Sequence, residues 1–436
     1  MGLGLGLGTT VANVPYLQMT LPSGFTDRWA APMTFFESAG GQYLTNYDLT
    51  TLKPAITKTY WVKSTGSDAA AGTEGAPLLS LSVALAKSDV DEVIIDTSAG
   101  DYIMPSTRGW GNTQPPRDVS VRVTGPGMAI STAANSATFP TWVNVSGAIY
   151  KTTTAAANAY SIIDSSIVES DGFFNRAMVA ASVAAMTPGT YFHDGTDLNV
   201  WALDSRNLVG DQRMLLSGSN SNLRIPSANR TIYVDGVHFV GGLPLNYVSA
   251  GVVDPLFVGL NCTFQGSHSN GSTNAVNITG PGRFYFYRCG AARGWRDQLN
   301  YHGNANGDPK VFENECWTGL GGYVGTSDNA STSHENTAII RLNGRYGHSL
   351  NRTVADIGDT RTLILGGSIG QARTAAVANE SLAQQGSNQS WVAGVSIPTG
   401  SNPQLAILNT ATVAYRKMTA PTRAGTGEDV GTLTTW

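Results

Sequence analysis

Charge is scarce in this chain. Only 13% of its 436 residues are Asp, Glu, Lys or Arg, about half the usual share for a globular protein, and the formal net charge is −4. No basic stripe interrupts the sequence, so neither nucleic acid nor an anionic membrane surface is indicated as a partner. No run of about 20 apolar residues occurs, so no membrane span is expected. The start, MGLGLGLGTTVANVP, has no positive n-region, and no Sec-type signal is expected. Cysteine is nearly absent. Three cysteines without CxxC or His-rich spacing argue against a disulfide framework or a metal cluster, and no cofactor is expected. Sustained helical periodicity is missing as well. What is plentiful is glycine, at 50 residues, together with Ser, Thr and Asn, which is the composition of strands and turns.

The few cysteines are regular. Cys262, Cys289 and Cys316 stand 27 residues apart, each inside a short apolar run: FVGLNCTFQG, RFYFYRCGAARG and VFENECWTGLGG. The run returns as AIIRLNGRYG, with Gly344 in the cysteine's place, and as RTLILGGSIG, with Gly367. Internal periods of about 20 to 50 residues mark a solenoid, and a strand-rich unit of this length matches one turn of a parallel β-helix. The residues two and four before that position are Leu260 and Val258, Tyr287 and Tyr285, Asn314 and Phe312, Leu342 and Ile340, Leu365 and Leu363. Nine of these ten are large and apolar, so the column is read as the inward face of the coil. The cysteines are read as a stack of buried thiols, with a metal site as the lesser alternative. Beside them runs a column of Asn261, Arg288, Glu315 and Asn343. Strands about 4.8 Å apart put Arg288 within reach of Glu315 as an exposed ladder contact.

Taken in order, residues 1–57 are low in charge and rich in Gly, Thr and Pro. Such a segment buries little alone, and is expected either to be an anchor ordered by docking onto something larger or to be a loose leader. Residues 58–137 carry a strand at 59–63, a loop from Gly66 to Gly75, and a helix from Pro77 to about Ser88 with Leu78, Leu81 and Leu85 on one face. A strand at Val93 to Ile95 and an early rung, VSVRVTGPG at 119–127, follow. The helix is read as a cap over the open end of the core. Residues 138–206 break the repeat as a β-rich insertion, with a helix-prone patch around Ala177 to Ala185 and a hairpin turn at Asp194-Gly195. Rungs resume over 207–418, with Phe239 set 25 residues before Phe264. Gln371 to Ser390 reads as a loop or short helix, 404–418 as a final strand pair, and 419–436 as a tail without core pattern.

The strand, GSD loop and helix within TYWVKSTGSDAAAGTEGAPLLSLSVALAK resemble the opening of the pectate-lyase-like right-handed parallel β-helix superfamily. Further on come a D-x-x-NYH loop (DQLNYH), an STxH loop (STSH), a strand ending in NG (AIIRLNG) and an aspartate before the next strand. This order resembles bacteriophage and bacterial β-helices of the tail-spike and tail-fibre type. The resemblance spans residues 59–370 and contains no single catalytic signature. It implies an all-β, right-handed parallel β-helix with a capping helix, an insertion and an extended amino-terminal anchor. It further implies a virion-associated homotrimer that attaches to phage tail or baseplate proteins through residues 1–57 and meets a host-cell glycan, which it either cuts or only holds. Two other classes stay open, a secreted polysaccharide lyase or hydrolase and a purely structural particle protein.

Candidate chemistry follows from the same rungs. Asp328 and Asp356 each fall 12 residues after an equivalent strand position, Cys316 and Gly344, so stacking is expected to set them side by side. Carboxyl groups about 5 to 9.5 Å apart are what glycosidases use. His302 or His334 with Asp297, Asp328 or Glu335 would instead make a general acid/base group or hold a metal. Against both stands the plainer expectation that Asn300, His302, His334 and Asn343 hydrogen-bond the turns between rungs. For glycan stacking the candidates are Trp142, Tyr191 and Trp201 of the insertion, with Trp295 and Trp317 on the coil, because an aromatic face matches the C–H face of a pyranose. The insertion's rings, Tyr150 and Phe192 included, have a competing use as its own small core.

Overall fold

One residue per turn sets the winding. Gly236, Asn261, Arg288, Glu315, Asn343, Gly366, Gly394 and Lys417 all have positive φ, between 49° and 81°. A single left-handed residue bends a strand sharply into the next sheet, and it favours Gly and Asn because a Cβ there crowds the carbonyl. The N–H of each such residue reaches the carbonyl of the following rung: Asn261 to Tyr287 at 2.9 Å, Arg288 to Asn314 at 2.9 Å, Glu315 to Leu342 at 2.8 Å. The corner is therefore a ladder in its own right.

The computed structural model describes residues 15–133, 139–153, 161–218, 220–267, 273–321, 328–347, 349–370, 381–398, 404–419 and 431–435. It is an all-β protein built on a parallel β-solenoid with three long sheets. The first sheet has twelve strands, from Thr59–Lys63 through Leu256–Leu260, Gly282–Tyr287, Pro309–Asn314, Ala338–Leu342 and Arg361–Leu365 to Thr432–Thr435. The second has eight, among them Thr263–Gln265, Gly290–Ala292, Trp317–Thr318 and Arg345–Tyr346. The third also has eight, among them Val276–Thr279, Leu299–His302, Ser331–Ser333 and Val354–Ile357. Cys262, Cys289 and Cys316 are free and buried inside, and the Cys289 and Cys262 thiols are hydrogen-bonded to one another. Phe239 and Phe264 stack at 5.6 Å and 5°, as their spacing requires. Arg288 Nε meets Glu315 at 2.8 Å on the exposed corner. Among the described residues no helix is long and apolar enough to cross a membrane.

The inward column differs from expectation. Phe257, Phe284, Phe286, Val311, Ile339 and Ile364 fill the lumen with the cysteines. Val258, Tyr285, Phe312, Ile340 and Leu363 point the other way, yet they are buried too, in a second core with Phe25, Trp29, Phe35 and Tyr43. The cause is the corner. Counting back two from an inward cysteine crosses the left-handed residue, which inverts the alternation of side chains, so the counted column lies on the outer face. That outer face is apolar because residues 15–57 cover it. Trp29 stacks on Tyr285 at 6.4 Å and Phe35 meets Phe312 edge-on at 6.2 Å. Ion pairs hold the segment along the coil: Glu37 with Arg416 and Lys417 at 3.2 Å, Arg28 with Asp359 at 2.7 Å, Lys53 with Glu92 at 2.7 Å. The larger body on which this segment is ordered is its own solenoid.

The cap is shorter than the sequence suggests. Its helix spans Leu81–Leu85 with Leu81, Ala84 and Leu85 wholly buried. Pro77 to Ser80 stay extended, because Leu78 bridges to Val62 and Asp68 of the GSD loop accepts the N–H groups of Leu79 (3.1 Å) and Ser80 (2.8 Å). In the insertion, a five-stranded sheet includes the antiparallel pair Thr190–His193 and Asp197–Trp201 joined at Asp194-Gly195. The helix-prone patch forms a two-residue strand, Met178–Val179, and a 3-10 turn, Val183–Ala185. At the far end, Leu382–Gln385 and Gln389–Ala393 are strands rather than loop or helix, while 371–380 lie outside the described residues. Thr432–Thr435, expected as tail, adds a further parallel strand to Thr412–Arg416.

Candidate functional site

The residue following each cysteine position points outward from the second sheet, giving a column of Thr263, Gly290, Trp317, Arg345 and Ser368 in register. Glycine at 290 has a steric purpose. An added Cβ there would meet the Trp317 ring at 2.6 Å and Phe173 at 2.7 Å, so the bare backbone lets the indole lie across the rung beneath it. Trp317 remains half-buried, its ring 5.9 Å from Phe173. Arg345 is exposed on the next rung and has no ion-pair partner among the described residues. The corner ladder of Asn261, Arg288, Glu315 and Asn343 forms the opposite wall, with His238 and Thr263 at one end and Gly172 at the rim. Together they enclose a groove of about 580 Å³. His238 Nδ1 lies 2.8 Å from the Thr263 hydroxyl, and burial, opposed by Asp101, lowers its pKa to about 4.

The insertion supplies that rim through a clamped arm. Arg293, 3% exposed, spans Asp171 at 2.6 Å and Glu169 at 2.7 Å. Burial pushes the Asp171 carboxyl up, but the guanidinium outweighs it and holds the group below its ordinary range. Gln265 adds a pair of backbone contacts to Phe174, at 2.7 and 3.0 Å. A second hollow, of about 680 Å³ beside Asp101, Arg108 and Arg213, is closed by the Arg213–Asp101 ion pair at 2.9 Å.

The expected carboxylate pair does not form. Asp328 lies level with Asn351, whose N–H it accepts at 3.0 Å through its carbonyl, and its carboxylate takes the Leu350 N–H at 2.9 Å and the Gln298 amide at 3.3 Å. Asp356 is level with Ser333 and sealed in the lumen. There it accepts from Arg341 at 3.0 and 3.1 Å, Thr362 at 3.0 Å, Gln384 at 3.0 Å, and the Ser333 hydroxyl. Burial pushes Asp356 up, yet Arg341 keeps it below its ordinary value. Glu313 completes the enclosed set, bonded by Tyr301 at 2.7 Å and by Tyr346, and burial raises its pKa. No glycosidic bond reaches these groups. Asp297 is buried against Asn329, whose N–H donates at 2.8 Å, and burial raises it to about 6.

The remaining three catalytic candidates do converge. His302 ends one strand of the third sheet, while His334 and Glu335 follow the strand of the next turn. The imidazoles stack with centroids 4.0 Å apart and planes at 12°. Glu335 lies 3.1 Å from His302 Nδ1 and accepts the Gly303 N–H at 3.1 Å. Burial, then the adjacent His302, lowers the pKa of His334 to about 4. These donors are suited to proton exchange or to holding a metal. Among the stacking candidates, Trp142 (2% exposed) and Tyr191 (6%) belong to the insertion's own core with Tyr150, and offer no face to a sugar. Trp201 is half-buried with its indole N–H on Ser205 at 2.9 Å, and Trp295 is half-buried at a turn.

Trp317 was the only groove residue singled out as a glycan candidate from sequence. Arg345, Arg288, Glu315, Asn261, Asn343 and His238 were not so read. Their signal was present in the position after each cysteine and in the corner column itself, once the latter is recognised as left-handed.

No family model matches the chain, and no curated protein matches it. Among solved structures, one is "The complex structure of XylC with xylose", at 12% identity over 82% of this chain and 70% of that one, with a TM-score of 0.46. Another is "Glycoside hydrolase", at 8% identity over 87% and 97%, TM-score 0.41. A third is the "GH136 lacto-N-biosidase from Eubacterium ramulus", at 11% identity over 86% and 67%, TM-score 0.24. At these values the architecture rests on the strand pairings described above.

Proposed function

We propose that the protein is a virion-associated phage tail spike or tail fibre that binds a host surface polysaccharide in the groove at Trp317. The observation that carries this reading is the half-buried indole laid over Gly290 beside the unpaired Arg345. A flat apolar face flanked by hydrogen-bonding and charged groups is the combination a pyranose ring asks for. The wall of Asn261, Arg288, Glu315 and Asn343 extends the same chemistry along several rungs, as a chain of sugars requires. Binding without cleavage fits best, since the carboxylates at Asp328 and Asp356 are engaged separately. Attachment through residues 1–57 and assembly as a homotrimer belong to the same reading and rest on the tail-spike resemblance.

The test is a binding panel of purified capsular and O-antigen polysaccharides from candidate hosts. One or more should bind, and Trp317→Ala should weaken binding about tenfold, equivalent to about 1.4 kcal/mol. Arg345→Ala should weaken acidic glycans more than neutral ones. Binding that ignores both substitutions would remove the groove from the account. Shortened oligosaccharides after incubation would turn the binder into a depolymerase. Detection of the chain in purified particles tests the virion assignment.

A further inference from the structure

We infer that His302, His334 and Glu335 form a binding site for a divalent transition-metal ion of the zinc or nickel class. It lies on the edge of the coil between the third and first sheets, independent of the glycan groove. Each residue offers one ligand atom, and the three atoms all lie within 4.8 Å of one another. In a tetrahedral site with donors about 2.0–2.1 Å from the ion, neighbouring donors are about 3.3 Å apart. His302 Nδ1 and Glu335 Oε2, at 3.1 Å, already hold that separation.

The third donor needs a ring movement. Imidazole lone pairs lie in the ring plane, so two rings stacked at 12° do not aim at one ion as they stand. Swinging His302 out of the stack corrects this, and its side chain, 31% exposed, has solvent to swing into. The carboxylate is held ready. The Gly303 N–H fixes Glu335 Oε2 at 3.1 Å, and Glu335 keeps a left-handed φ of 54° although it is not glycine. Gly358 of the following turn packs close against it, where an added Cβ would sit 3.1 Å from Glu335 backbone atoms. Two imidazoles and one carboxylate favour zinc, nickel or copper over calcium and magnesium, which take oxygen ligands. Because the donors come from two successive turns, a bound ion clamps those turns together and leaves a further coordination position to water.

The experiment uses the untagged full-length chain, stripped with EDTA and titrated with CoCl2 and then ZnCl2. One cobalt ion per chain should bind with the visible absorption of a tetrahedral site, zinc should displace it, and zinc should raise the thermal midpoint. His302→Ala and Glu335→Ala both alter partly exposed side chains. Each should weaken binding at least about tenfold with an unchanged circular dichroism spectrum, while His193→Ala on the insertion should not. A wild-type chain that binds no cobalt, or binding that survives both substitutions, overturns the site whatever the glycan panel shows.

Discussion

Arg341 is wholly enclosed in the lumen between Glu313 and Asp356, with no part of any of the three reaching solvent. Burying charge is costly unless each group is paired and bonded, and removing the lone cation strands two carboxylates. Arg341→Met should therefore lower stability by about 3–5 kcal/mol, read as a shift of the urea midpoint. Adding Glu313→Gln and Asp356→Asn to it should restore most of the loss, because no unpaired charge then remains. An unaltered midpoint in the single variant would contradict the enclosed geometry. At this scale the sequence is partly legible. Cys262, Cys289 and Cys316 declare their own stacking, and Arg288 with Glu315 declares the corner pair. Asp356 does not declare the lumen, because which way its side chain faces depends on where the coil turns, and an aspartate beside Thr and Arg looks equally at home outside. Trp142 and Tyr191 mislead for a similar reason, since a core ring and a sugar platform have the same composition.

Among the elements, the segment from 15 to 57 has the most to reveal about packing. It was legible as something that must dock, but not as something that docks on its own chain. The apolar column at Val258, Tyr285, Phe312, Ile340 and Leu363 held that information, hidden by one left-handed residue per turn that reversed the count. Removing residues 1–57 uncovers those side chains, each worth about 1.5–3 kcal/mol when buried. The truncated chain is expected to aggregate or to melt at a markedly lower temperature, measured by light scattering and calorimetry. A monodisperse truncation with the full-length midpoint would show that the segment is only an ornament. The capping helix was legible in position but not in length, because Asp68 and Val62 draw Pro77 to Ser80 into extended backbone.

For the molecule as a whole, the coil follows from the 27-residue spacing, and the insertion from its interruption. Its final strand, Thr432–Thr435, had no such spacing to announce it. If the homotrimer proposed above is right, sedimentation equilibrium will return three times the chain mass at micromolar concentration; a single-chain mass would end that part of the proposal. A bare solenoid unfolds turn by turn because each repeat touches only its neighbours. Here Glu37 touches Arg416 while Lys53 touches Glu92, so one segment ties late turns to early ones and couples their melting.

That long strap also fixes an order of events at the ribosome. Arg28 leaves the exit tunnel 331 residues ahead of Asp359, its partner. At about 5–20 residues per second, the wait is on the order of tens of seconds. For that interval Phe25, Trp29 and Phe35 travel without a seat, and the newborn chain needs either a chaperone or a sister chain to keep them from the wrong company.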